Sequence, residues 1–201
     1  MPRPLIAVPV KPFGVAKHRL ATVMDAPTRS IIGRRIAART LETARQAGAS
    51  VVVVAGDRGV RQWAGALGFA SIPELEPSLA GAARAAVDAA AVETRSWIVA
   101  HADLPLVEVG DFRAVIGALE EAEVVIAPSY NGGTTVVGGT MDTFDFRYGE
   151  GSFRHHLGIA SRRRVRIVVR LGLGLDLDGP SDLESAIRHP RGAWLRALVD
   201  Q

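Results

Sequence analysis

Ser50-Val51-Val52-Val53-Val54-Ala55 is apolar at every position but the first. A strand with one wet face alternates apolar and polar residues. An unbroken β-branched run instead suits a strand covered on both faces, as in parallel sheets flanked by helices. Working back from it, residues 28–47 carry Ile31, Ile32, Ile36, Leu41 and Ala44 near helical spacing, and Gly48 stops that helix. Before the helix, residues 5–10 form a second apolar run that predicts the first strand. Working forward, the pattern predicts helices at 60–67, 79–92 and 111–121, and strands at 69–72, 97–100 and 123–127. This alternation predicts an α/β domain with a largely parallel sheet and right-handed crossovers.

From Ser129 the rhythm changes. Gly132, Gly133, Gly138 and Gly139 crowd in, and no strand is read there. A helix is expected at 152–159. A strand should follow over 164–171, with Val165, Ile167, Val169 and Leu171 on one face and Arg164, Arg166 and Arg170 on the other. No repeat, low-complexity tract or linker divides the chain, so one domain over residues 1–201 is expected.

Composition narrows the chemistry. The absence of cysteine excludes disulfides, thiolate zinc sites and cysteine nucleophiles. Lys and Arg (24) against Asp and Glu (21) leave a mildly basic +3, and 48% hydrophobic residues is ordinary for a globular chain. The N-terminal apolar stretch is too short for a secretory signal. No run approaches the roughly 20 apolar residues that span a bilayer. A soluble, cytoplasmic chain with no membrane partner is the expectation.

In an open parallel sheet, ligands bind beyond the carboxyl ends of the strands, and four segments fall there. After the first strand comes Val10-Lys11-Pro12-Phe13-Gly14-Val15-Ala16-Lys17-His18-Arg19, whose Lys11, Lys17 and Arg19 suit a polyphosphate. It lacks the Walker order, and its alternative is a solvated basic loop. His101-Ala102-Asp103-Leu104-Pro105 follows an apolar strand, and Asp103 there suits a divalent cation or, equally, a turn cap. His101 is expected to pack or hydrogen-bond locally. Asn131-Gly132-Gly133-Thr134-Thr135 and Gly149-Glu150-Gly151-Ser152 allow close backbone approach to an anion, or are simply turns. In Leu175-Asp176-Leu177-Asp178-Gly179-Pro180-Ser181, the alternation of an extended chain puts Asp176 and Asp178 on one face. Two converging carboxylates repel, and a magnesium ion removes that cost. Alternatively, Asp178 ends the strand and Ser181 caps the following helix. No nucleophile elbow is present. His155 and His156 are adjacent and splay apart on a helix, a poor chelating geometry.

Taken in order, these segments resemble the 2-phospho-L-lactate or phosphoenolpyruvate guanylyltransferases of coenzyme F420 biosynthesis. The resemblance runs from Val8-Pro9-Val10-Lys11 to Asp176-Leu177-Asp178-Gly179-Pro180-Ser181-Asp182-Leu183. It implies a nucleotidyltransferase fold of the glycosyltransferase-A, Rossmann-like type, with a mixed, mostly parallel sheet flanked by helices. It implies GTP and a small phosphorylated acid as substrates, and Mg²⁺ as one or two ions. Lys11 then matches the lysine on the acid, and Lys17 and Arg19 the basic pair of the opening loop. These three and Asp103 form the catalytic set. Val10, Lys17, Arg19 and Asp103 take the nucleotide, while Thr134, Gly149 and Ser152 join Lys11 in cradling the acid. Asp103, Asp176 and Asp178 hold the metal. Two positions depart from the family pattern: Ala80 follows Leu79 where Asn is usual, and Thr135 follows Thr134 where Asn is frequent. Both bear on nucleotide contacts and base preference. The product of such an enzyme passes to a downstream transferase.

Two rival readings stand beside this one. The same fold can act on a sugar phosphate or a molybdopterin. A basic module can instead use the 162–170 arginine stripe on nucleic acid, although the main reading has no nucleic-acid partner. Nothing in the sequence distinguishes phosphoenolpyruvate, 2-phospholactate and 3-phosphoglycerate.

Overall fold

A computed structural model describes residues 3–14, 17–74, 76–92 and 96–199. The apolar runs become strands β1 (Leu5–Pro9), β2 (Ser50–Val54), β3 (Ala70–Ile72), β4 (Trp97–Ala100) and β5 (Val124–Pro128). Two more, β6 (Thr134–Gly139) and β7 (Val165–Ile167), complete a seven-stranded sheet in the order β3-β2-β1-β4-β6-β5-β7. β6 alone runs antiparallel to its neighbours β4 and β5; the other pairings are parallel.

The helices are α1 (Ala26–Gln46), α2 (Arg58–Ala66), α3 (Leu79–Val92), α4 (Val109–Glu121), α5 (Ser152–Ile159), α6 (Leu171–Gly174), α7 (Pro180–Arg188) and α8 (Ala193–Val199). Local chemistry fixes their starts. Asp25 accepts the Thr28 N–H at 2.8 Å and Asp57 the Val60 N–H at 2.8 Å, each occupying an orphan donor of a first turn. The alternative in which Ser181 caps α7 does not hold. Asp182, rather than Ser181, reaches back to accept the N–H groups of Gly179 (2.7 Å) and Asp178 (2.9 Å).

Alternate residues of each strand feed two cores. Ile6, Val8, Val53, Ile98 and Val125 join Leu41, Phe112 and Val115 on one face. Leu5, Ala7, Trp97, Val99 and Val137 meet the alanines of α3 on the other, where Ala82, Ala83, Ala86 and Ala90 bring the helix close. The burial of β1 and β4 on both faces is what their unbroken apolar runs require. A third cluster of Leu20, Ile32, Ile36, Leu177, Leu183 and Leu195 ties α7 and α8 to α1.

Two expectations are corrected. The glycine-rich stretch after Ser129 contains a central strand. Ser129–Gly133 is its hairpin turn, with Gly132 at φ 83° and the Ser129 N–H bonded to the Gly133 carbonyl at 3.0 Å. Gly138 and Gly139 are strand residues made small by packing: a Cβ on Gly139 would lie 2.6 Å from the Trp97 ring. The strand expected over 164–171 stops at Ile167. Leu171 opens α6, and Val169 is 78% exposed, because β7 is the sheet edge and no layer covers that apolar alternation.

Candidate active site

The chain runs β1, β2, β3 toward one edge and returns to place β4 on the other side of β1. Crevices form at such reversals, outside the carboxyl ends of the strands. Here a cavity of about 510 Å³ opens between the segments after β1 and β4. Val10, Lys11 and Lys17 line it from the first loop, Asp103 from the end of β4, Gly149 from the turn before α5, and Asp176 and Asp178 from the approach to α7. Seven of the positions singled out in the sequence therefore share one hollow. Leu79, at the start of α3, lines it too, beside the departing Ala80.

The acidic side is assembled by backbone pairing. The Leu177 N–H donates to the Asp103 carbonyl at 2.9 Å, laying the 175–178 segment along the end of β4. Leu177 is fully buried, so its neighbours Asp176 and Asp178 turn the opposite way, into the cavity. The Lys17 ammonium donates to both the Asp103 carboxylate and the Leu177 carbonyl. Lys17 stands in the left-handed region at φ 59°, a conformation a non-glycine residue rarely holds. Arg19, exposed on a 3₁₀ turn (His18–Thr22), pairs with Asp178.

These contacts split the two carboxylates. Withdrawal from water works against charge on Asp103, but Lys17, and then His101, hold its carboxyl below the usual range. Asp176 is pushed up, first by burial and then by the charge of Asp103. Its Oδ1 is buried without a hydrogen-bond partner. An orphaned carboxylate oxygen beside a second carboxylate is a donor set suited to a hard cation. Among the described residues no three Asp, Glu, His or Cys side chains already stand together as a metal cage, since Asp178 is turned to Arg19.

Thr134 and Ser152 lie deeper. Both are buried, their hydroxyl oxygens 3.3 Å apart, and the Ser152 N–H donates to the Gly149 carbonyl at 3.1 Å. Neither lines the cavity itself; the bond from Ser152 to Gly149 is what links the pair to its wall. Sequence reading missed three residues. His101, expected to pack locally, lines the cavity with Nδ1 3.9 Å from both Asp103 and Asp176. Glu74 lines it beyond β3. His156, dismissed as a chelator, bonds Thr134 at 3.0 Å. His101 shares its strand end with Asp103 and was open to sequence reasoning. The other two depend on tertiary contacts with no local pattern.

The arginine stripe is largely committed elsewhere. Arg163 and Arg164 face Glu123, Arg166 bonds Glu121 at 2.7 Å, and Arg170 bonds the buried Asp111 at 3.1 Å. No helix among the described residues is long and apolar enough to cross a membrane.

Comparison with known proteins identifies the family. A family model described as guanylyl transferase CofC like matches residues 5–199. A phosphoenolpyruvate guanylyltransferase from Rubrobacter xylanophilus is 33% identical over 88% of this chain and 89% of its own length. A 2-phospho-L-lactate guanylyltransferase from Methanothermobacter thermautotrophicus is 29% identical over 96% of this chain and 87% of its own. A solved structure from Desulfovibrio desulfuricans, described as a nucleotide-diphospho-sugar transferase, superposes with a TM-score of 0.82 over 100% of this chain and 98% of that one. Its 19% identity makes this a likeness of fold.

Proposed function

The chain belongs to the CofC-like guanylyl transferase family, and from that premise we propose that it moves GMP from GTP onto the phosphate of a small phosphorylated acid, phosphoenolpyruvate or 2-phospho-L-lactate, as in coenzyme F420 biosynthesis. One observation carries the reading. Lysines of the first loop and the carboxylates of Asp103, Asp176 and Asp178 line a single cavity at the reversal point of the sheet.

A phosphate oxygen of the acid attacks the α-phosphorus of GTP, and pyrophosphate leaves in line. The attacking group is already an anion at neutral pH, so no general base is needed. What the site must supply is alignment and neutralisation of charge. Lys11, Lys17 and Arg19 supply cations from the first loop, and Val10 places backbone beside the nucleotide. Lys17 does this by exchanging its bonds to Asp103 and the Leu177 carbonyl for a phosphate oxygen. Gly149, with Thr134 and Ser152 behind it, receives the acid.

Asp103 and Asp176, joined by Asp178 on release from Arg19, fit a divalent cation such as Mg²⁺. When bound, that ion neutralises phosphate charge between the two substrates. The guanylylated product joins the two phosphates through a P–O–P anhydride linkage, and its hand-over to a downstream transferase is part of this proposal.

Pyrophosphate release from GTP or ATP tests the reading against a panel of phosphoenolpyruvate, 2-phospholactate, 3-phosphoglycerate and a sugar phosphate. Release with GTP and one phosphorylated acid is expected. Release with the sugar phosphate alone would transfer the chain to the rival substrate class.

A further inference from the structure

The Thr134 and Ser152 hydroxyls are held from behind by a histidine that the mechanism above does not use. Thr134 Oγ1 lies 3.0 Å from His156 Nδ1 and 3.3 Å from Ser152 Oγ, and all three side chains are buried. On the far side of the ring, His156 Nε2 accepts the Arg147 backbone N–H at 2.9 Å. A backbone amide only donates, so Nε2 carries the lone pair and a neutral ring carries its proton on Nδ1. The surroundings keep the ring neutral. It is sealed against Tyr148 and Phe144, with centroids 5.0 and 5.8 Å away, and burial pushes the imidazole down to about 4. Both nitrogens are engaged, which leaves neither free to act as a base or a metal ligand.

Proton counting then fixes what the hydroxyl pair presents. Its two hydroxyls own two protons, and one is used in the bond between them. His156 donates a further proton onto Thr134 Oγ1, which therefore has no acceptor in the ring. Among the described residues neither hydroxyl makes another hydrogen bond. One O–H remains to be given away. With the opposite tautomer, Thr134 would donate to Nδ1, Ser152 to Thr134, and no proton would be left.

We propose that His156 is a positioning residue for the phosphorylated acid: by donating from Nδ1 to Thr134, it sets the Thr134–Ser152 pair as a hydrogen-bond donor toward an anionic oxygen of the substrate. The inference rests on the assignment of the acid to the Gly149 end of the cavity. It goes beyond that assignment by naming the group that decides whether the cradle offers a proton or a lone pair.

Histidine-selective ¹⁵N NMR of the ligand-free protein reads the tautomer without any substrate, the signal being identified by its loss in His156→Asn. A protonated Nδ1 with a bare Nε2 at neutral pH is expected; an Nε2–H ring overturns the proposal. Steady-state kinetics then varies phosphoenolpyruvate at saturating GTP, and GTP at saturating phosphoenolpyruvate. Loss of one donor to a site that binds an anion predicts that His156→Leu raises KM for phosphoenolpyruvate about tenfold while KM for GTP stays within about twofold. His156→Asn, whose amide nitrogen can take the place of Nδ1 and donate to Thr134, restores most of the loss. In a Thr134→Val background, His156→Leu adds nothing more. Equal rises in both KM values, Asn no better than Leu, or additive effects in the double variant would each overturn the proposal. A wild type that guanylylates no phosphorylated acid sinks the functional reading itself, and that failure shows before any substitution is made.

Discussion

Lys17 and Asp103 show how much one pair of side chains must do. Their contact joins residues 86 apart in sequence and draws Lys17 into a left-handed backbone that costs on the order of 1 kcal/mol or more for a non-glycine residue. The ammonium offsets a carboxylate that would otherwise face the raised, partly unsatisfied Asp176. Asp103→Asn should therefore lower kcat by at least about 100-fold, the scale of losing one electrostatic contact in a transition state. Its melting temperature should stay close to the wild type, and pyrophosphate release with a thermal melt checks both halves. His156 gives a second prediction. The folded chain holds this imidazole at about 4 against an ordinary 6.5. Between those values the unfolded chain takes up a proton that the folded chain refuses, so stability falls as pH drops through that window. Melting curves from pH 7 to about 4 should show a shallower decline in His156→Asn than in the wild type. Parallel declines would contradict it.

At the scale of elements, β6 explains why glycine was misleading. Glycine runs between polar residues read as turns, and Ser129–Gly133 is one, with Asn131 Oδ1 accepting the Gly133 N–H at 3.1 Å. Gly138 and Gly139 are small for another reason, contact with Ile98, Leu119 and Trp97 across the sheet. Gly139→Ala should destabilise the fold by about 1–3 kcal/mol through overpacking, read as a lower denaturant midpoint. Both KM values should hold, because Gly139 lies at the far end of β6 from Thr134. The C-terminal elements are fastened by charge. Asp111, 1% exposed, receives Arg170 at 3.1 Å and Arg191 at 3.2 Å and accepts the Glu108 N–H at 3.0 Å. It thereby joins α4 to the segments on either side of α6 and α7. Removing one partner of such a buried network leaves uncompensated charge, so Asp111→Ala should cost about 3–5 kcal/mol. A stable, fully active variant would show that these elements are held by their apolar contacts alone.

For the whole molecule, the site exists only when distant segments have docked. Val10 and Lys11 follow β1, Asp103 follows β4, and Asp176 reaches the cavity through the Leu177–Asp103 backbone bond. A ligand that bridges these segments binds the folded state and not the unfolded chain. GTP with Mg²⁺ at about 100 times Kd should therefore stabilise the protein by about 2.7 kcal/mol. The rise in melting temperature should shrink in Asp103→Asn and vanish with EDTA if the cation carries the binding. A shift indifferent to EDTA would assign nucleotide binding to Lys11, Lys17 and Arg19.

The sequence alone determined the α/β alternation, the packing of β2 against apolar layers on both faces, the helix at 152–159 and the placement of Lys11 and Asp103 just past the ends of β1 and β4. Each is written in periodicity or in a short motif, and a chain's local pattern reports its own burial directly. Only the tertiary structure decided that a glycine-bearing strand inserts antiparallel between β4 and β5, that β7 ends at the sheet edge, and that Lys17 meets Asp103 while His156 backs Thr134. Those outcomes depend on which distant surface each residue packs against. No local spacing encodes that choice, because it is made by the fit of side chains such as Trp97 to the space left by Gly139.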